Sequence, residues 1–409
     1  MRRESRRRCQ IDKTVGEVET ATDPIQELID AVNSQEPVNG FTHKYYRYPA
    51  RFSPLFPRAV IRAFTEPGDV VLDPFMGSGT TLVEALTQGR RAVGSDVNSL
   101  ATFLATVKTS TLSENDLETV IEWADALPDH LNLHSPAARA IEWKEAGYQV
   151  HLPWRHRKTI EFILDRLQVL PRRRQQRFVR GVLLKLSQWA LDCRQHIPSI
   201  PQFREEFYGC LNLFLQGMRE YREAVLTNRL PDGRKPTAAC LQKKASELAE
   251  VGHLASMPAK LVVTSPPYPG VYVLYHRWKV RGRKETPAPY WLADCRDGQG
   301  QAYYCFGDRR IEGLPAYFDG IRESFTGVRQ VVDPDALVVQ MVSFKEPDWQ
   351  IPAYLDAMND AGFVEIMPRE LGIAAADRLW RDVPGRRWFA LIQGSLATSQ
   401  EVVLFHRPS

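Results

Sequence analysis

The chain has 409 residues, 44% hydrophobic and 25% charged, with a formal net charge of +4. That is the balance of a soluble globular protein with core material for two or three domains, and the charge alone designates no nucleic-acid partner. No stretch approaches the roughly 18 apolar residues of a membrane span, and no apolar run follows the amino-terminal arginines as a signal peptide requires. A cytoplasmic protein with no membrane partner is expected.

In chain order, residues 1–22 form a basic tail opening MRRESRRRCQ, with five arginines in its first eight residues. A solvated, disordered arm is the plain expectation, and a phosphate-seeking arm the functional one. Residues 23–111 contain Val70-Val71-Leu72, a glycine-rich turn, a helical stretch from Thr80 to Thr87, a second short strand at Arg91 to Gly94 and a helix from Asn98 to Lys108. Strands alternating with helices at this spacing predict an α/β fold with a doubly wound, mostly parallel sheet. Residues 112–236 change to helical periodicity, clearest at Thr159 to Leu170 and Phe178 to Trp189. Between His151 and Lys235 this helical insertion carries 17 Lys/Arg against 8 Asp/Glu. Residues 237–409 resume the α/β pattern, with strands expected at Ala238 to Leu241, Leu261 to Thr264, Ala336 to Val342, Phe363 to Met367 and Glu401 to Phe405, and a helix at Ile351 to Ala361.

The six cysteines are scattered, with no CxxC pair and no Cys/His cluster of zinc spacing, so no metal is expected and free thiols in a reducing compartment are. The absence of a Pro-Cys dipeptide argues against a cysteine attacking a pyrimidine ring carbon.

The turn reads Asp73-Pro74-Phe75-Met76-Gly77-Ser78-Gly79-Thr80-Thr81. Its glycines permit positive φ and close ligand approach, and the helix that it opens offers free N–H groups. It lacks the Gly-Lys-Ser/Thr ending of a phosphate loop. Leu82 stands where a dinucleotide fingerprint needs its third glycine. Asp96 ends the next strand, placed to accept hydrogen bonds from ribose hydroxyls. A ribose-bearing ligand without a pyrophosphate fits, and S-adenosylmethionine is the candidate. Its expected contacts are Asp73, Pro74, Phe75, Gly77, Gly79, Thr80, Asp96 and Asn98.

Thr264-Ser265-Pro266-Pro267-Tyr268 closes the strand Leu261-Val262-Val263. Two prolines remove two N–H donors and fix φ near −65°, so the flanking carbonyls point in set directions. An aryl amine is a poor nucleophile because its lone pair is delocalised into the ring. Two acceptors on its N–H groups, Ser265 Oγ and the Pro266 carbonyl, would draw it toward tetrahedral geometry. Tyr268 would stack on a base that has left the duplex.

These segments resemble the amino-group DNA methyltransferases of the N4-cytosine/N6-adenine superfamily. The resemblance rests on His43 to Pro54, on Asp69 to Thr81 with Asp96 and Asn98, and on Thr264 to Tyr268. It implies a seven-stranded class I S-adenosylmethionine-dependent methyltransferase sheet. It also implies an amino-terminal element, including Phe52, lying over the methyl donor, and catalytic Ser265, Pro266, Pro267 and Tyr268. Serine before Pro-Pro resembles the cytosine-N4 members, with adenine-N6 as the alternative. Two departures stand out. Lys244 occupies a position where the family often carries an acid, and the large helical insertion resembles members with target recognition between donor site and catalytic strand.

The expected partner is double-stranded DNA, with a cognate restriction nuclease and a restriction-modification or phage-defence setting implied by the resemblance. Pro269 to Arg310 mixes aromatic and basic residues, so Arg277, Lys279, Arg281 and Arg283 are candidate DNA contacts, together with Arg172, Arg173 and Arg174 of the insertion. Methylation of RNA or of a protein glutamine, and a non-catalytic DNA-binding scaffold, are the competing readings.

Overall fold

Short β-branched runs make the strands, and a side-chain period of two sorts each strand onto two faces. In β1 (Val70–Asp73), Val70 and Leu72 enter one apolar cluster and Val71 the other. The computed structural model describes residues 23–47, 53–127, 138–252, 254–269, 277–297, 306, 313–375, 377–382 and 400–409. The basic tail and Phe52 therefore lie outside the described residues.

Helices α1 (Pro24–Asn33) and α2 (Leu55–Phe64) precede β1. Then come α3 (Thr80–Thr87), β2 (Arg91–Ser95) and α4 (Ser99–Thr109), the expected β-α-β-α unit. The insertion supplies α5 (Glu114–Asp125), α6 (Ala138–Glu145), α7 (Trp154–Arg166), α8 (Arg173–Leu191) and α9 (Ile200–Thr227). The sheet resumes with β3 (Ala238–Leu241) and β4 (Ala259–Thr264). A hairpin of β5 (Trp278–Val280) and β6 (Lys284–Thr286) leads to α10 (Ala288–Ala293) and α11 (Leu314–Arg329). The chain ends with β7 (Val332–Val342), α12 (Pro347–Asp360), β8 (Phe363–Ile366), β9 (Leu379–Asp382) and β10 (Gln400–Pro408).

The sheet order is β3-β2-β1-β4-β7-β10-β8, with β9 also paired to β10. Strands β3, β2, β1, β4 and β7 are parallel, and β10 runs antiparallel to its neighbours. This is a doubly wound, mostly parallel sheet: the seven strands expected, in that order, with β9 as an eighth paired to β10. The carboxyl ends of β1, β2 and β4 open on one edge, where such sheets bind ligands. Because β10 is reversed, its first residues reach that same edge.

The helical insertion does not keep a core to itself. Ile160, Phe178, Val182, Phe214 and Met218 share one apolar cluster with Val71, Leu261 and Val339 of the sheet. Tyr45 joins the amino-terminal segment to it, stacked on Phe214 at 3.7 Å between ring centroids and donating its hydroxyl to the Phe214 carbonyl at 2.6 Å. The opposite sheet face carries α11 and α12, through Tyr317, Phe325, Tyr354 and Met358. Among the described residues no helix is long and apolar enough to cross a membrane.

Candidate active site

Asp73, the last residue of β1, ties the ends of two strands together. Its Oδ1 accepts from Thr264 Oγ1 at 2.7 Å and from the Phe75 N–H at 3.2 Å, and its Oδ2 accepts from Thr81 Oγ1 at 2.7 Å. Thr264 is the residue before Ser265, so this bond fixes the start of the Ser-Pro-Pro-Tyr loop beside the glycine turn. Asp73 is thus the clamp between the two motifs. Burial pushes its carboxyl up to about 6, against the lowering effect of the two threonine hydroxyls and the Phe75 N–H.

Asp96 follows β2 and is half-buried. Its Oδ2 accepts from the Gly77 N–H at 3.0 Å and its Oδ1 from the Asn98 N–H at 2.8 Å. Burial raises this carboxyl as well, to about 6, with the Asn98 and Gly77 amides opposing. The turn is shaped by Gly77 at φ 49° and Gly79 at φ 79°. Gly79 is the N-cap of α3, and a Cβ there would lie 2.9 Å from Ala105 Cβ, so α4 packs directly on the turn. Asn98 caps α4, accepting from the Leu100 N–H at 2.9 Å and from the Tyr290 hydroxyl at 3.1 Å. Its amide nitrogen is buried with no hydrogen-bond partner among the described residues. A buried donor without an acceptor is costly unless a ligand satisfies it. An acceptor such as a ribose oxygen would do so, and S-adenosylmethionine fits this donor set. Phe75 lies half-buried, edge-on to Phe306 with ring centroids 6.0 Å apart, and Thr80 is buried at the start of α3.

The Ser-Pro-Pro-Tyr loop reveals a partner that local sequence did not. Ser265 Oγ donates to Tyr268 Oη at 3.3 Å, and Tyr268 Oη donates to Glu401 Oε1 at 2.6 Å. Glu401 is opposite Arg381 in the β9–β10 pairing, with Arg381 Nε 3.5 Å from Glu401 Oε2. Tyr268 packs half-buried against the α11/α12 cluster, so the hydroxyl end of the ring is anchored. Lys244 lies at the head of a short 3₁₀ turn (Ala245–Glu250), side chain 54% exposed and 4.0 Å from Glu247.

The basic candidates separate into paired and open groups. Arg172 and Arg174 lie 2.9 and 2.7 Å from buried Asp116 and join α5 to the start of α8. Burial raises that carboxyl, but hydrogen bonds from Ser113, Arg174 and Arg172 outweigh it and hold it at about 2. Arg173 instead lines a cleft of about 620 Å³ with Arg177, Arg180 and Thr102, between α8, α4 and α10. Arg277 pairs with Asp297 at 2.8 Å. Lys279, Arg281 and Arg283 are exposed on the β5–β6 hairpin and form no ion pair among the described residues. Within this stretch residues 270–276, 298–305 and 307–310, including Tyr272, Tyr275 and His276, lie outside the described residues.

The hairpin is anchored from below. Trp278 Nε1 donates to Tyr46 Oη at 2.9 Å, and the Lys279 N–H donates to Asp192 at the end of α8 at 3.1 Å. Its turn has Arg281 at φ 53° and Gly282 at φ 72°, the double positive φ of a tight hairpin. Neither strand of this hairpin is among those expected from the sequence. The alternation of buried Trp278 and Val280 with exposed Lys279, followed by Arg281-Gly282, was the available signal.

Sheet order, a glycine turn after β1 and an acid after β2 together match the arrangement expected from the resemblance to class I methyltransferases. A family model described as DNA methylase matches residues 5–103, about a quarter of the chain. The match includes Asp73 to Gly79 and Asp96 and stops short of Thr264. Type II methyltransferase M.MvaI of Kocuria varians is 32% identical over 119 residues, 25% of this chain and 26% of that protein. Type II methyltransferase M1.MboII of Moraxella bovis is 45% identical over 65 residues, 16% and 25% of the two chains. DNA adenine methyltransferase YhdJ of Escherichia coli is 39% identical over 56 residues, 14% and 19%. The matched segment thus spans about a quarter of the length of M.MvaI. These matches support the resemblance to the amino-group DNA methyltransferase superfamily.

Proposed function

We propose that this chain transfers a methyl group from S-adenosylmethionine to the exocyclic amine of a base flipped out of double-stranded DNA, with cytosine N4 the preferred target. The observation that carries the reading is the Thr264–Asp73 bond of 2.7 Å, which holds the amine-gripping loop against the donor turn. The donor would supply an electrophilic methyl on a sulfonium. The chain's part is to position. Ser265 Oγ and the Pro266 carbonyl accept the amine's N–H groups, and Asp96 with the Asn98 amide holds the ribose. Orienting two reactants in this way supplies a large share of such a barrier.

Serine at position 265 favours cytosine over adenine. The relatives include an adenine methyltransferase by name, so adenine N6 is the second reading. Lys279, Arg281 and Arg283 on the hairpin, with Arg173 in the α8 cleft, are the proposed phosphate contacts, and the 112–236 insertion is the proposed target-recognition part. Such contacts make binding fall steeply with salt. The type II relatives support a restriction-modification setting, and a cognate nuclease is the partner proposed with it. Modification-sensitive sequencing of DNA from cells expressing the chain tests the whole reading. N4-methylcytosine at a fixed sequence is the expected result. N6-methyladenine would move the assignment to the second reading, and unmodified DNA would overturn both.

Donor binding should also depend on pH. An ionised Asp96 accepts from a ribose hydroxyl more strongly than a neutral one, and burial raises its carboxyl to about 6. Protonation therefore competes with the donor. Affinity should be flat above about pH 7 and roughly tenfold weaker at pH 5, one unit below the titration point. Calorimetry with S-adenosylmethionine across this range reads the effect, and Asp96→Asn should flatten it. An unchanged affinity at pH 5 would remove Asp96 from the ribose contact.

A further inference from the structure

We infer that Glu401 is a positioning residue that, through Tyr268, fixes the Ser265 hydroxyl as a hydrogen-bond acceptor toward the substrate amine. The inference rests on the amine-methylation reading above. A serine hydroxyl has one proton and two lone pairs, and its rotor is otherwise free. To grip an amine N–H, Ser265 must turn its proton away. The structure provides a destination for it: Ser265 Oγ donates to Tyr268 Oη, which donates to Glu401. A carboxylate can only accept, so the chain has a fixed direction, and the lone pairs of Ser265 are left toward the amine. Arg381, opposite Glu401 on β9, places its Nε 3.5 Å from the other carboxylate oxygen, Oε2.

The position of Glu401 follows from topology. A parallel strand would begin at the far edge of the sheet, but β10 is antiparallel to β7, and its second residue therefore stands at the edge where β4 ends. Glu401 is buried, 7% exposed, on a strand whose next residues are apolar. A buried acid there is costly unless its hydrogen bonds are used.

Replacing Glu401 by Gln tests the direction of the chain rather than its shape. The Arg381 guanidinium can only donate, so it draws the Gln oxygen to itself and turns the amide NH2 toward Tyr268. Tyr268 then accepts from Gln, donates to Ser265, and leaves the Ser265 proton facing the amine. Glu401→Asp is shorter but still only accepts. The expected order of single-turnover methyl transfer by the full chain on a methylatable duplex is wild type, then Asp, then Gln. The Gln variant should be at least tenfold slower than wild type, with unchanged melting temperature and unchanged affinity for S-adenosylmethionine by calorimetry. A role in packing alone predicts the reverse order, because Gln fills the space of Glu and Asp does not. A Gln variant as fast as Asp or faster overturns the inference and leaves the methyltransferase reading intact. A wild-type chain that methylates no DNA overturns both.

Discussion

Ser265→Ala should lower single-turnover methyl transfer by about a hundredfold, roughly 2.7 kcal/mol of barrier, while S-adenosylmethionine binds within twofold of wild type. The size follows from the loss of one preorganised hydrogen-bond partner at the reacting group, and the split follows from position. Ser265 comes after β4, whereas the proposed ribose contacts lie after β2. The fold should be undisturbed, because Thr264, not Ser265, makes the buried bond to Asp73. Rapid-quench kinetics with a labelled methyl donor, beside calorimetry for the donor, measures both quantities. A Ser265→Ala chain with the wild-type rate would place the amine grip elsewhere in the loop.

Gly79→Val should instead damage stability and donor binding together. Gly79 sits at φ 79° as the N-cap of α3, a conformation that costs a side-chain-bearing L-residue about 1–2 kcal/mol. The new Cβ would stand 2.9 Å from Ala105 Cβ and 3.1 Å from Ala105 Cα in α4. Relieving that contact moves either the turn or the helix, and overpacking of this kind costs roughly 1–3 kcal/mol more. The urea midpoint should fall, and donor affinity should drop by more than tenfold as the Gly77 N–H leaves Asp96. Gly79→Ala should show a smaller loss in both. A valine variant with the wild-type midpoint and affinity would show that the turn tolerates a Cβ, against the packing described.

Much of the site was legible because its parts are local. A strand, a turn and a helix start within a dozen residues of one another, so Asp73 to Thr81 carries its own geometry. Thr264 to Tyr268 is legible for the same reason, since two prolines dictate backbone direction wherever they stand. The Arg172 to Arg174 run shows the limit of that approach. As a charge run, its three members look alike. In the fold, Arg172 and Arg174 are drawn to buried Asp116, which is 56 and 58 residues earlier in the chain, and Arg173 alone lines the cleft. Charge along a sequence does not say which cations find a carboxylate.

Sequence by itself determined the α/β alternation, the strands of the doubly wound sheet, the glycine-rich turn and the Ser-Pro-Pro-Tyr loop, because each depends on neighbours within a few residues. Tertiary structure alone decided that the insertion shares its core with the sheet, that Thr264 binds Asp73 across 191 residues and that Tyr268 reaches Glu401 across 133. Those contacts depend on which strands lie side by side and which one is reversed. Sheet order is settled by burial of whole faces rather than by any local pattern, and Glu401, just before the apolar run Val402 to Phe405, acquires its partner only when β10 is laid antiparallel beside β7.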